Sequence, residues 1–299
     1  MTSAIYYHHI TDIDCAYIND QGETVGLSFA PEFIIRGELT EDEQVVADFS
    51  SAKKKIKAAI DNPVTGIDHK LIIFTNYSKA QLYTSNTEHN IIVETPHVTL
   101  DVPLTGIKTV FQSDNETAMA ALKREIETIC SRELGLDVTV KDMKLNNDPN
   151  RFQDNFVRLH FRYTHGLTNS TSYGCKNIMH GHYSYADVNS YKSMPFEVQK
   201  RFEAAIKELD GAYIVCSNHV VDITNRDDGT YVSISYQNER GKWSALLKNP
   251  KLIVLDNEPT IENILEWVSD THYDLFTDIG RCTLRISEGL NKGAIKEFE

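Results

Sequence analysis

The chain has 299 residues, 41% of them hydrophobic, and a formal net charge of −13. That length and apolar content suit a soluble globular protein with room for two domains. The acidic balance argues against a sequence-independent grip on nucleic acid phosphates, and no run of about 18 apolar residues offers a membrane-spanning helix. The N-terminal stretch MTSAIYYHHITDIDC has neither a basic region nor an apolar core, so a secretory signal is not expected. Cys15, Cys130, Cys175, Cys216 and Cys282 are scattered and form no CxxC pair. Such a set points to a reducing, cytoplasmic setting rather than a disulfide framework.

In chain order, a strand-like stretch at Leu27–Leu39 leads to Asp48-Phe49. A helix pattern follows from Ser50. Its apolar residues Ala52, Ile56, Ala59 and Ile60 share one face, and Pro63 ends it. Lys53–Lys57 then read as a solvated helix face. The run Gly66-Ile-Asp68-His69-Lys-Leu-Ile-Ile-Phe comes next, followed by strand-like segments that include HNIIVETP. A second helix is expected to begin near Ser113–Thr117 and to end at Gly135, before a strand at Val138–Met143. Past the polar joint Asn146–Arg151, the order repeats. Strands FVRLHFRYTH and MHGHYSYADV precede a helix at Phe196–Leu209, then Asp210-Gly211. TYVSISYQ and KLIVLD read as strands. A helix starts at Pro259, where a missing N–H costs little, and the last strand runs from Cys282 to Glu288. Each half thus reads β-β-α-β-β-α-β, an α+β unit of helices packed on one face of an antiparallel sheet. The predicted units are 1–149 and 150–299.

The chemistry concentrates in Cys175-Lys-Asn-Ile-Met-His180-Gly-His182. Residues two apart on a strand point to the same side, so His180 and His182 can meet one metal ion. His165, at the end of the preceding strand-like run, is the candidate third ligand. Three histidines with an open fourth position make a catalytic zinc site rather than a structural one. The plainer alternative is a strand end carrying two exposed imidazoles.

Taken together, Phe161-x-x-x-His165, Cys175-x4-His180-Gly-His182, Pro259-Thr-Ile-Glu-Asn263 and the final strand ending in Glu288 resemble the 6-pyruvoyltetrahydropterin synthase / 6-carboxytetrahydropterin synthase family. The first half resembles it too, through Asp48-Phe49 and Ile67-Asp68-His69-Lys70, but it lacks the HGH motif. The second half has Asp210-Gly211 where the family has Asp-His. The resemblance implies tandem tunnelling-fold (T-fold) units and a Zn2+-dependent carbon–oxygen lyase. Its substrate would be a small pterin triphosphate, 7,8-dihydroneopterin triphosphate. It also implies roles. His165, His180 and His182 would hold zinc. Cys175, as thiolate, would be the base, and His69 oriented by Asp68 a second acid/base. Glu288 would bind the amino-pyrimidine edge of the pterin, and Thr260 and Glu262 match the family's pocket threonine and glutamate. Adjacent residues on a regular strand point apart, so an Asp68–His69 contact needs a loop.

Family sites form between units, and here each half keeps a different part. The expectation is one composite site built from complementary halves. The short cysteine-to-HGH spacing leans toward the carboxy branch of a deazaguanine (queuosine-type) pathway. The 6-pyruvoyl activity and a non-catalytic pterin- or purine-binding assembly protein are the alternatives. Sheets of this kind expose edges that the family closes into barrels, which implies a homo-oligomer of two or three chains. No nucleic acid and no membrane partner is expected.

Overall fold

Four short, mostly apolar strands explain how the layers stack. In Ile13–Ile18 (strand β2), Ile13 and Cys15 join one buried cluster, whereas Ala16 and Ile18 join another. In Leu71–Phe74 (β4), Ile72 and Phe74 likewise oppose Leu71 and Ile73. Tyr213–Cys216 (β12) repeats the pattern in the second half, and Leu252–Leu255 (β16), at the sheet edge, does so in part, burying Ile253 and Leu255 but exposing Val254. Successive side chains leave a strand on opposite faces, so a strand covered on both sides reads as a continuous apolar run.

The computed structural model describes residues 3–76, 79–144, 156–163, 181–238, 241–290 and 292–299. Among them are three sheets of six strands each. The first is built from Ser3–Tyr7 (β1), β2, Thr24–Gly37 (β3), β4, Ile107–Val110 (β8) and Asp137–Lys144 (β9). Helices Phe49–Ile60 (α1) and Ala118–Leu134 (α2) pack on one face, burying Ala52, Ile56, Leu122 and Ile126 among others. Asp48 caps α1 by accepting the Ser51 N–H at 2.8 Å, and Gly135 ends α2 at φ +71°.

The second sheet runs β16-β12-β10-β11-β17-β18, with β10 at Phe156–Tyr163, β11 at Gly181–Ser190, β17 at Cys282–Ser287 and β18 at Gly293–Phe298. Helices Phe196–Lys207 (α3), Ile261–Thr271 (α4) and Tyr273–Ile279 (α5) cover one face of it. The α+β class with helices on one face of each of these sheets therefore holds. Several details differ from the sequence reading, among them β18, which follows the strand expected to be last. The pairs β2/β4, β4/β8, β10/β12 and β12/β16 are parallel, because α1, α3 and the inserted hairpins carry the chain back before it re-enters the sheet. The last helix also breaks in two at His272, which leaves helical geometry at φ −115°, ψ 31°.

The inserted hairpins form the third sheet. Gln81–Thr84 (β5), Asn90–Glu94 (β6) and Val98–Pro103 (β7) come from the first half. Val220–Arg226 (β13), Gly229–Asn238 (β14) and Gly241–Lys248 (β15) come from the second. The two sets join through β15 and β7, with Ser244 opposite Asp101 and Leu247 opposite Val98. Asn90 bridges the seam, donating to Asp101 at 3.0 Å and to the Lys242 carbonyl at 2.9 Å. Beneath this sheet lies a core shared by both halves, with Trp243 fully buried. No helix among the described residues is long and apolar enough to cross a membrane.

One ion pair holds the second sheet across two strands. Asp187 of β11 stands opposite Arg285 of β17 and accepts from its Nε at 2.8 Å and from its NH2. The Asp187 side chain is almost wholly buried, and burial pushes its carboxyl up against the pull of Arg285. Removing the cation strands a buried carboxylate. Arg285→Met is expected to cost about 3 kcal/mol, read as a lower urea midpoint, and the double variant with Asp187→Asn should recover most of it.

Candidate active site

The loop after α1 is built to present Asp68 and His69. Asn62 turns the chain by accepting the N–H groups of Val64 and Thr65, both at 2.9 Å. At Gly66 a Cβ would fall 2.2 Å from the Ile60 carbonyl, so only glycine fits there. Lys70 is buried and donates its ammonium to the carbonyls of Pro63 at 2.9 Å and Val64 at 3.1 Å. The loop then docks on β2. Asp68 accepts the Asp14 N–H at 2.9 Å, and the His69 N–H donates to the Asp14 carbonyl at 2.7 Å. His69 takes φ +56°, a left-handed conformation unusual for a side chain of this size. In that turn its Nδ1 meets the second carboxylate oxygen of Asp68. The turn thus gives two adjacent residues the contact that a strand would deny them.

These residues line a cavity of about 360 Å3 together with Thr11, Asp12, Asp14, Lys57, Asp61 and Lys292. Lys292 comes from the far end of the chain. The hairpin between β17 and β18 places it 3.3 Å from Asp14 Oδ2 and 3.6 Å from Glu288 Oε2. The Glu288 N–H closes the same turn on the Lys292 carbonyl at 2.9 Å. Glu288 of the second half is therefore one lysine away from the carboxylate of Asp14, the residue whose main chain holds the Asp68–His69 turn of the first. Asp14, Asp61 and Lys292 were not singled out in the sequence. Asp14 and Lys292 lie 54 and 224 residues from Asp68, in no recurring spacing.

Thr260 and Glu262 have local explanations. Thr260 caps α4 by accepting the Asn263 N–H at 3.3 Å, and Glu262 is an exposed acid in the first turn of that helix. Neither lines the cavity. His165, Cys175 and His180 lie outside the described residues. His182 stands in β11 opposite Phe161 of β10. No group of three or more metal-ligating side chains is gathered among the described residues. Cys15, next to the dyad, is fully buried, and burial together with Asp68 and Asp14 pushes its thiol well up. It is a packed thiol, not a nucleophile.

The second half repeats the contacts by which this loop docks on its neighbouring strand, from a shorter loop. The His160 N–H donates to Asp210 Oδ1 at 3.0 Å, and the Gly211 N–H donates to the His160 carbonyl at 2.7 Å. Ala16 bonds to the Lys70 carbonyl at 3.0 Å, and Arg162 to that of Ala212 at 3.0 Å. Gly211 has φ +69° where His69 has +56°. His160 lies nearby, but its Nε2 is 4.0 Å from Asp210 and its Nδ1 is buried without a hydrogen bond. Burial, then Arg162, holds that imidazole below its usual range, favouring the neutral form.

No protein-family model and no curated protein sequence matches the chain. Three solved structures of Plasmodium vivax 6-pyruvoyltetrahydropterin synthase, two of them catalytic-residue mutants, are similar to it at 16% identity and a TM-score of 0.35. The match covers 45% of this chain and 80% of each of theirs. This is a likeness of fold.

Asp61, which ends α1 and lines the cavity, supplies a test of the electrostatics. Partial desolvation at the cavity rim, then the Asp68 carboxylate, pushes the carboxyl of this exposed residue up, against the pull of Lys57 and His69. A carboxyl that holds its proton more tightly folded than unfolded lowers stability as pH rises past its ordinary range. Asp61→Asn should therefore raise the melting temperature at pH 7 and leave it nearly unchanged at pH 3.

Proposed function

We propose that the chain is a zinc-dependent carbon–oxygen lyase of the 6-carboxytetrahydropterin synthase kind, acting on 7,8-dihydroneopterin triphosphate. Its site is a composite of both halves of one chain. The observation that carries this reading is the Asp14–Lys292 contact at 3.3 Å. It draws Glu288 toward the loop that holds Asp68 and His69, although the halves carry them separately in sequence.

In this reading His69 takes and returns a proton through Nε2, since Nδ1 is engaged by Asp68. Asp68 fixes the ring by bonding to it while its other oxygen is anchored on the Asp14 main chain. Glu288 accepts two N–H bonds from the amino-pyrimidine edge of the pterin, a charge-assisted pairing. Three imidazoles are a donor set suited to zinc with one open position, so His165, His180 and His182 would hold it, and bound zinc supplies Lewis acidity toward substrate hydroxyls. Cys175 is the partner base. The chain is taken to act in the cytoplasm as a homo-oligomer of two or three copies.

Purified protein should carry about one zinc per chain and convert the substrate to 6-carboxytetrahydropterin and acetaldehyde, identified by mass. His69→Ala should lower kcat by about 10²–10⁴-fold with zinc retained. Full turnover in His69→Ala overturns the composite site. Zinc without turnover in the wild type favours a binding protein, and 6-pyruvoyltetrahydropterin as product assigns the other branch.

A further inference from the structure

The dyad and the recognition turn meet at one residue whose own side chain does no proposed chemistry. Asp14 sits on β2, 2% exposed, and uses its main chain and its side chain in opposite directions. Its N–H and carbonyl hold Asp68 and His69. Its carboxylate accepts the hydroxyl of Ser28, the cross-strand neighbour on β3, at 2.5 Å, and faces the Lys292 ammonium on the second half's hairpin.

Gly289 brings that hairpin in close. It has φ +67°, and a Cβ there would fall 2.3 Å from Asp14 Oδ1 and 3.0 Å from Ser28 Oγ. Any larger residue would push the turn off β2. The Gly289 N–H also reaches Ser184 Oγ at 3.4 Å, tying the turn to its own sheet. The approach of backbone to carboxylate and the ion pair beside it both fix the height of Glu288 over β2.

The geometry points to Asp14 as a positioning residue that sets the separation between the acid–base pair and the substrate-binding carboxylate. It is one anchor with two loads: main chain for His69, side chain for Glu288. Substitutions that strip only the carboxylate charge leave the main-chain anchor in place, so the two loads can be separated. The kinetic part rests on the lyase reading above; the structural part does not.

The experiment uses full-length protein and four variants: Asp14→Asn, Gly289→Ala, Lys292→Met and Lys292→Arg. Lys292 is half-exposed, so its variants test the idea even where Asp14→Asn fails to fold. Hydrogen exchange, followed by mass spectrometry, should speed up in the segment around Glu288 and Gly289 in the first three variants. The α1–β4 loop carrying His69 should exchange as in the wild type. Lys292→Arg keeps the charge and should keep the protection. With 7,8-dihydroneopterin triphosphate, the same three variants should raise KM by about 10-fold with kcat nearly unchanged, the signature of lost binding rather than lost chemistry. That is the reverse of His69→Ala. Wild-type exchange and KM in Lys292→Met would overturn the assignment, as would a loss of kcat alone. If wild-type protein does not turn over this substrate, the lyase reading fails and exchange alone decides the positioning role.

Discussion

Two hydrogen bonds to the main chain of Asp14, one from the His69 N–H and one accepted by the Asp68 carboxylate, hold the candidate site together. Without them the loop after α1 would have no reason to keep His69 at positive φ, a conformation that costs an L side chain roughly 1–2 kcal/mol. The surroundings over-determine it. Asn62 shapes the turn, Gly66 lets it pass close to Ile60, and buried Lys70 fastens it to two carbonyls. Strain held this way is a mark of sites where a side chain must be aimed. Here the aim brings imidazole and carboxylate of adjacent residues into contact.

The second copy of the loop shows which part of that arrangement is architecture and which is chemistry. Asp210 bonds to the His160 N–H as Asp68 bonds to that of Asp14, and Gly211 sits in the left-handed region without strain. The docking contacts are common to both loops, and the imidazole at that position is present only in the first and absent from the second. In its neighbourhood Arg162 is buried, stacked 3.8 Å over the Tyr213 ring, and donates to Thr24 and to the Gly211 carbonyl. A guanidinium reaching from the second half to the first half's β3 makes this copy a joint between halves. The two loops share one docking geometry and carry different side chains at the turn.

Much of the architecture was legible because it is local. Helix α1 follows from its apolar spacing, α2 from its Gly135 stop, and the twice-buried strands β4 and β12 from their unbroken apolar runs. The need for a loop at Asp68–His69 follows from strand geometry alone. What escaped the sequence is non-local. The inserted hairpins were readable as strands, but not that β7 would pair with β15 across the halves, nor that re-entering strands would pair in parallel. Asp14 lies in the strand-like run Ile13-Asp-Cys-Ala, where an acid on a buried strand has no recognisable pattern. Lys292 lies in the turn before β18, a strand that the sequence reading did not include. Thr260 and Glu262 were readable as residue types but equally as a cap and a first-turn acid, and capping is what their contacts show.

The shared third sheet explains how a site can span the halves within one chain. Its core includes Ala16 and Ile18 of β2 and Tyr213 and Val215 of β12, so both halves turn the same kind of face toward it. Asp14 precedes Ala16 by two residues and so leaves β2 on that face, the one turned away from α1 and α2. Ser28 faces the same way, opposite it on β3. An acid on the helix-covered face would have been buried among Ile13, Cys15 and Phe29 with no route to a partner. On the shared face it meets the second half's hairpin. The one-residue parity of a strand thus decides whether the carboxylate at position 14 is an error in a core or a contact between the two halves of the chain.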